Sequence, residues 1–311
     1  MRWCVLVVAV ACGNDPPPGS GGARSGSSAA RLEPAGVACE QLAFAQSTPV
    51  PEASGAGWLE VDGRLVLVAI GDSGNHGAYG LIDPDTGKTL EQGRLPLGDA
   101  GDDIEGVAGR GDTLYAITSA GWLRAWKRDR KGFTLIAGPY PIGAVDHSLP
   151  RHGGLGDTPP KGDGMVCDAF GVNCGRNYEG LCLAPDAAAP CTGFVASKAD
   201  GHLYCLFFAE GDQLAVDRTR AIAVDRPGVV ADCAFDEAGR LWVADNLFGM
   251  SQVVRVDGWR DPPHAQVVKI AQIGIGFPEV LAVRGDTLYR MSDTGGAPSL
   301  MAKFRCTPPA R

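Results

Sequence analysis

The sequence predicts an all-β fold in which small antiparallel sheets repeat around an axis. Its 44 glycines and 22 prolines indicate many turns, and no stretch has the hydrophobic period of an amphipathic helix. A strand, a tight turn and a second strand also recur. The string Arg-Gly-Asp-Thr-Leu-Tyr occurs at 110–115 and at 284–289, and each arginine follows a glutamate by five residues. Repetition of such a unit at intervals of tens of residues is typical of a β-propeller.

Five four-stranded blades are predicted within residues 37–311, and six is the alternative if the inserted segment 139–177 contains another blade. The first strands of the blades are expected at Trp58, Ile104, Tyr178, Asp232 and Glu279. Segment 139–177 interrupts the strand pattern with proline, glycine and charged residues, so we expect a long inserted loop there.

The last blade has too few strands before the chain ends. A strand at residues 41–46 can supply the missing one, so that the N- and C-terminal strands close the ring and leave no unpaired edge. Because Cys39 and Cys306 flank these two strands, we expect them to form a disulfide bond.

The first residues are expected to be an export signal. Residues 1–11 combine a basic start with a short apolar run, as in a signal peptide, and Cys12 follows as in a bacterial lipobox. Residues 12–36 are rich in glycine, proline and serine and are predicted to be a flexible tether. The chain is therefore expected at the bacterial cell envelope, lipid-anchored through Cys12, or secreted.

The remaining cysteines suit the same compartment. Eight are left after Cys4 and Cys12, an even number that favours disulfides over zinc because no Cys-x-x-Cys occurs. Besides Cys39–Cys306, the predicted pairs are Cys167–Cys174, Cys182–Cys191 and Cys205–Cys233.

Charge restricts the class of partner. The net charge of −8 disfavours nucleic acid and suits a cation or a basic ligand. Four acidic residues stand at the starts of blades and are expected to face one mouth of the central channel: Glu105, Glu179, Asp232 and Glu279. Two interpretations remain open. The acids either bind a cation, for which calcium is the candidate, or accept backbone N–H groups that join the blades.

Three short motifs carry a family resemblance. Gly71-Asp72-Ser73-Gly74-Asn75, Asp103-Ile104-Glu105-Gly106-Val107-Ala108 and Asn177-Tyr178-Glu179-Gly180-Leu181 together resemble the phytase-like and SdiA-regulated β-propeller families. The resemblance implies a propeller and adds Asp72 and Asn75 to the channel-mouth residues. It also implies calcium-dependent phosphoester hydrolysis, although no matching set of basic residues for phosphate is recognisable.

A second hydrolase hypothesis starts from Gly71-Asp72-Ser73, which resembles the first block of GDSL-type esterases. Ser73 would be the nucleophile, His264 the base and Asp261 its orienting acid. Those enzymes are α/β proteins, whereas this chain offers hairpins. The first expectation is therefore a non-enzymatic binding module at the cell envelope that uses calcium and recognises an envelope protein or a small ligand. A hydrolase is the alternative.

Overall fold

The computed structural model describes residues 38–143, 166–186, 190–224, 229–246 and 249–307. The predicted signal peptide, the tether and Cys12 lie outside these ranges, as does the central part of the inserted segment. Among the described residues there is no α-helix, and no helix could cross a membrane.

The described residues form twenty-one strands and one short 3-10 helix, at Pro262–His264. The first two strands are β1 (Ala38–Leu42) and β2 (Ser47–Thr48). Blade 1 contains β3 (Ala53–Val61), β4 (Arg64–Gly71), β5 (Ala78–Ile82) and β6 (Thr89–Arg94). Blade 2 contains β7 (Ile104–Arg110), β8 (Thr113–Thr118), β9 (Trp122–Asp129) and β10 (Gly132–Pro141). Blade 3 contains β11 (Tyr178–Leu183), β12 (Gly193–Ser197), β13 (His202–Glu210) and β14 (Gln213–Ala223). Blade 4 contains β15 (Val229–Phe235), β16 (Leu241–Asn246), β17 (Met250–Asp257) and β18 (Gln266–Gly274). Blade 5 contains β19 (Phe277–Arg284), β20 (Thr287–Asp293) and β21 (Ser299–Thr307).

The five-bladed propeller is confirmed. Each of blades 1 to 4 is an antiparallel sheet in chain order, and in blade 5 the order is β19, β20, β21 and then β1. The N-terminal strand thus closes the ring as predicted, with Cys39 directly opposite Cys306. It lies at residues 38–42, slightly earlier than expected.

The hydrophobic core consists of five clusters, and each cluster lies between two neighbouring blades. The inner strands β3, β7, β11, β15 and β19 pack closely around the axis. A side chain at Gly109 would place its Cβ 1.8 Å from the Trp58 carbonyl oxygen, so only glycine fits there. Every inner strand starts at one face of the ring, which we call the acidic face. It ends at the opposite face, which we call the turn face.

The disulfide prediction is half correct. The Cys39–Cys306 and Cys167–Cys174 bonds are present, but the other two pairs are Cys182–Cys233 and Cys191–Cys205 rather than Cys182–Cys191 and Cys205–Cys233. The reason is strand order. Cys182 and Cys233 lie on β11 and β15, the inner strands of adjacent blades, with their Cα atoms 5.6 Å apart. Cys191 precedes β12, and Cys205 lies on the neighbouring strand β13. Four disulfides indicate an extracellular or otherwise oxidising compartment.

Candidate cation site at the channel mouth

A β-bulge near the start of each inner strand sets the direction of the acidic side chains. The strand register shifts across Glu105, Glu179 and Glu279 in three blades, and across Ser54 and Ala231 in the other two. A bulged residue leaves the ladder and its side chain is re-aimed. The three glutamates therefore occupy equivalent positions at the acidic face. Asp232 does not, because it follows the bulge of its blade by one residue.

Among the described residues, three carboxyl groups of the mouth lie close together. One carboxylate oxygen of each of Asp72, Asp103 and Glu105 lies within 4.8 Å of the others. Asp72 follows β4, and Asp103 precedes β7. Asp103 and Glu105 are buried, with 2% and 5% of their surface exposed, and Asp72 is half-buried. We call these three residues the acidic triad.

The Glu105 carboxyl group is buried among other acids. Its side chain accepts no hydrogen bond from the described residues, while burial and then the charges of Glu179, Asp72, Glu279 and Asp103 raise its pKa well above the usual range. A buried carboxyl in such surroundings is either protonated or needs a cation.

The other mouth carboxyls are perturbed in the same direction. Burial raises the pKa of Asp72 to about 6, although an N–H bond from Ser73 opposes it. Burial raises the pKa of Glu179 to about 8, against the opposing effect of Lys198. The pKa of Glu279 rises to about 7 through burial and the charge of Asp293. All of these groups would bind a proton less readily if a cation were beside them.

Among the described residues, Lys198 and Arg290 are basic side chains near this cluster, and both have defined partners. Lys198 Nζ lies 3.0 Å from Glu179 Oε1. Arg290 is fully buried, and its guanidinium donates to the carbonyls of Val280 and Pro278 and to the Ser251 hydroxyl. In the part of the chain that the structure describes, negative charge is therefore in excess around Lys198. The mouth carboxyls there are those of Asp72, Asp103, Glu105, Glu179 and Glu279.

Asp232 accepts backbone N–H groups that join two blades, which is one of the two roles that the sequence left open. It is completely buried, and its two oxygens accept the N–H groups of Cys233 and Leu281, each at 2.7 Å. Leu281 belongs to blade 5, so the Asp232 carboxylate links blade 4 to blade 5.

Replacing Asp232 by alanine should lower the free energy of unfolding by about 3 kcal/mol, because two buried N–H groups would lose their acceptor. Chemical denaturation monitored by circular dichroism measures this loss. Asp261→Ala is the control, because Asp261 is exposed and should change the stability by less than about 0.5 kcal/mol. An equally small effect for Asp232→Ala would contradict the linking role.

Asn75 shapes the loop that carries Asp72. Its side-chain nitrogen donates to Glu52 Oε2 at 2.8 Å and to the Asp72 carbonyl oxygen at 3.1 Å. The structure therefore places Asn75 beside the mouth, with its amide nitrogen occupied by loop contacts.

Ser119 contacts Asp103 of the acidic triad. Its hydroxyl donates to Asp103 Oδ2 and accepts the N–H of Asn173 at 2.8 Å. Asn173 lies in the segment closed by Cys167–Cys174, so this disulfide loop contacts the triad through one serine. Sequence reasoning did not identify Ser119 or Asp103 as site residues.

The proposed esterase residues do not come together. Ser73 lies in the β4–β5 loop at the acidic face, and its backbone N–H donates to Asp72. Asp261 and His264 lie in the β17–β18 connection at the turn face, where they pair with each other at 2.9 Å and are exposed. Because the two faces are at opposite ends of the channel, the Ser73–His264–Asp261 triad is wrong. The α/β fold that it requires is absent from the described residues.

Comparison with known proteins supports no family assignment. No protein-family model and no curated protein matches the chain. Among solved structures, the PQQ-bound aldose sugar dehydrogenase of Streptomyces coelicolor is 14% identical, with a TM-score of 0.47 over 88% of this chain and 99% of that one. Regucalcin of Agrobacterium tumefaciens, described as a calcium-binding protein, is 15% identical, with a TM-score of 0.42 over 85% and 96%. These similarities do not bear on the chemistry of this chain.

Proposed function

We propose that the acidic face binds a divalent cation, with calcium as the first candidate, and that Asp72, Asp103 and Glu105 hold it. The observation that carries the proposal is the Glu105 carboxyl, which is buried among other acids and has no hydrogen-bond donor among the described residues. Calcium is bound by several oxygens, carboxylates among them. Its two positive charges would offset the repulsion that raises the pKa values at the mouth.

The cation would serve an exported binding module. Eight bonded cysteines suit an oxidising compartment, and the acidic mouth suits a ligand or envelope protein with a basic group. Anchoring through Cys12 and the phytase-like resemblance belong to this proposal and rest on the sequence motifs alone.

Hydrolysis of a phosphoester is the second candidate function, and the Lys198–Glu179 pair favours it. Lys198 is partly exposed and can contact an anionic substrate, while Glu179 has a pKa of about 8 and can hold or release a proton near neutral pH. A bound cation next to this pair could polarise a phosphoryl oxygen. Turnover of p-nitrophenyl phosphate that requires calcium and is lost in Lys198→Met would establish this candidate over the binding module.

Thermal unfolding with and without calcium tests the cation site. Calcium at 100 times its Kd should stabilise the protein by about 2.7 kcal/mol, and a chelator should reverse the rise in Tm. Isothermal titration should give one site per chain. If saturating calcium and manganese leave the Tm unchanged and titration detects no binding, the proposal is wrong.

Replacing Ser119 by alanine should weaken calcium binding about tenfold or more, because Asp103 would lose the hydroxyl that orients it. Isothermal titration measures the change in Kd. Ser197→Ala is a matched control. Ser197 is a buried serine at the end of β12, as Ser119 is a buried serine just after β8, but its hydroxyl donates to the Arg176 carbonyl oxygen. Equal Kd values for Ser119→Ala and the unmodified protein would show that Ser119 does not position the site.

A further inference from the structure

The repeated Arg-Gly-Asp-Thr-Leu-Tyr string begins with an arginine whose side chain is exposed in both copies. The glycine of each copy has a positive φ, +61° at Gly111 and +58° at Gly285, as the turn demands. The leucine and tyrosine of each copy are buried in β8 and β20. Neither the turn nor the strand explains the arginine. Arg110 and Arg284 are both exposed, and both lie at the turn face.

Both arginines border a cavity of about 430 Å³ at the turn-face end of the central channel, which we call the throat. This volume lies within the range of small-molecule sites. Its wall includes Trp58, Leu181, Ala282 and the Cys182–Cys233 disulfide. The Trp58 ring is held in place, because its Nε1 donates to the Val283 carbonyl oxygen at 2.8 Å. The throat therefore has a largely apolar wall.

Two of the acids on the rim have partners among the described residues, whereas the two arginines have no carboxylate partner there. Asp236 Oδ2 pairs with Arg240 at 2.5 Å, and Glu237 Oε2 accepts the Gly285 N–H at 2.8 Å. By contrast, no described carboxylate lies within ion-pair distance of Arg110 or Arg284, and the Arg110 guanidinium lies 4.8 Å from the centre of the Phe208 ring.

One further acid completes the rim. Glu60 also borders the throat and has no described side-chain partner. Glu237 keeps its negative charge despite its bond to the Gly285 N–H, so Glu60 and Glu237 balance the charges of Arg110 and Arg284 on the described rim. The two guanidinium groups have no described carboxylate partner, so they can donate charge-assisted hydrogen bonds to an anionic group. Arg110 is the last residue of β7, and Arg284 is the last residue of β19. Both strands pack against β3, so the two arginines border the throat on either side of β3.

We propose that the throat binds a small molecule with an apolar, preferably aromatic, body and one anionic group such as a carboxylate or sulfonate. The body would occupy the apolar wall region, and Arg110 and Arg284 would bind the anionic group through charge-assisted hydrogen bonds. This site lies at the opposite end of the channel from the acidic triad and does not depend on the proposed cation.

Two fluorescent probes with the same aromatic body test the proposal. Anilinonaphthalene sulfonate carries a negative charge, and N-phenyl-1-naphthylamine does not. In fluorescence titrations of the folded protein, the charged probe should bind at one site per chain and at least about tenfold more tightly than the neutral probe. Arg110→Gln and Arg284→Gln should each weaken binding of the charged probe about tenfold and leave the neutral probe unaffected.

Arg130→Gln is the matched control, because Arg130 is exposed and lies outside the wall of the throat. Its affinity for both probes should equal that of the unmodified protein. Absence of saturable binding of the charged probe would overturn the site. Equal affinity for the two probes, or unchanged binding of the charged probe in Arg110→Gln/Arg284→Gln, would overturn the assignment of an anionic ligand. Because both arginines are exposed, the variants should keep the fold. Circular dichroism of each variant checks this.

Discussion

Replacing Glu105 by glutamine is expected to abolish the calcium-dependent rise in Tm and, without calcium, to raise the Tm at pH 8. Glutamine has nearly the same shape but no charge, so it removes a ligand of the cation and also removes the repulsion among the buried acids. The gain without calcium should be about 1–2 kcal/mol, or roughly 2–6 °C for a chain of this size. Differential scanning calorimetry with calcium and with a chelator measures both effects.

Glu40→Gln provides the control, because Glu40 is an exposed residue of β1. This substitution should change neither the Tm without calcium nor the rise in Tm that calcium causes. A Glu105→Gln protein that still gains stability from calcium would remove Glu105 from the site. A lower Tm without calcium would show that the Glu105 carboxylate is compensated within the folded chain.

Without calcium, the protein should become less stable as the pH rises from about 5 to 8. The folded-state pKa values of Glu179, Glu279 and Asp72, about 8, 7 and 6, lie above the ordinary values of 4.5 for glutamate and 3.8 for aspartate. The folded state therefore binds protons more tightly than the unfolded state. The stability contributed by these groups is complete below their unfolded pKa values and is lost as the pH rises through the folded ones. For buried Glu179 alone, the loss is on the order of a few kcal/mol.

Saturating calcium should remove or reverse this decline, because the cation binds the deprotonated carboxyls and its affinity rises with pH. Urea denaturation at half-unit steps of pH, with calcium and with chelator, measures the two profiles. Asp83, Glu91 and Asp200 have lowered pKa values through hydrogen bonds and ion pairs, so they reduce stability only at acidic pH and do not obscure the interval from 5 to 8. Parallel profiles with and without calcium would contradict a cation site at the acidic triad, which includes Asp72 and lies beside Glu179 and Glu279.

The architecture was predictable because it depends on patterns local in sequence. The repeated hairpins, the turn glycines and the alternation of apolar residues define the blades, and the incomplete last blade predicts the closing strand. The pairing of Cys39 with Cys306 followed from that closure, since both cysteines flank the two strands that must meet.

The site was only partly predictable because it depends on register and on contacts between blades. Asp232 stands at a blade start like Glu105, but a shift of one residue relative to the bulge turns it toward backbone N–H groups instead of the mouth. Asp103 precedes Glu105 by two residues, and the Asp-x-Glu spacing was a usable signal for it. Ser119 had no such signal, because its contact with Asp103 appears only when β7 and β8 are paired. The pairing of Cys182 with Cys233 likewise depends on which strands of neighbouring blades face each other.

The closure of blade 5 also determines when the molecule can finish folding. Strand β1 pairs with β21, and their disulfide joins residues 267 positions apart. Synthesis starts at the N-terminus. The residues of β1 therefore stay unpaired until β21 has been synthesised. Blades 1 to 4 contain only neighbouring strands and can form earlier. We expect the closing step to be the slowest, and the incomplete ring to be the species most prone to aggregation, because its outer edge is still open.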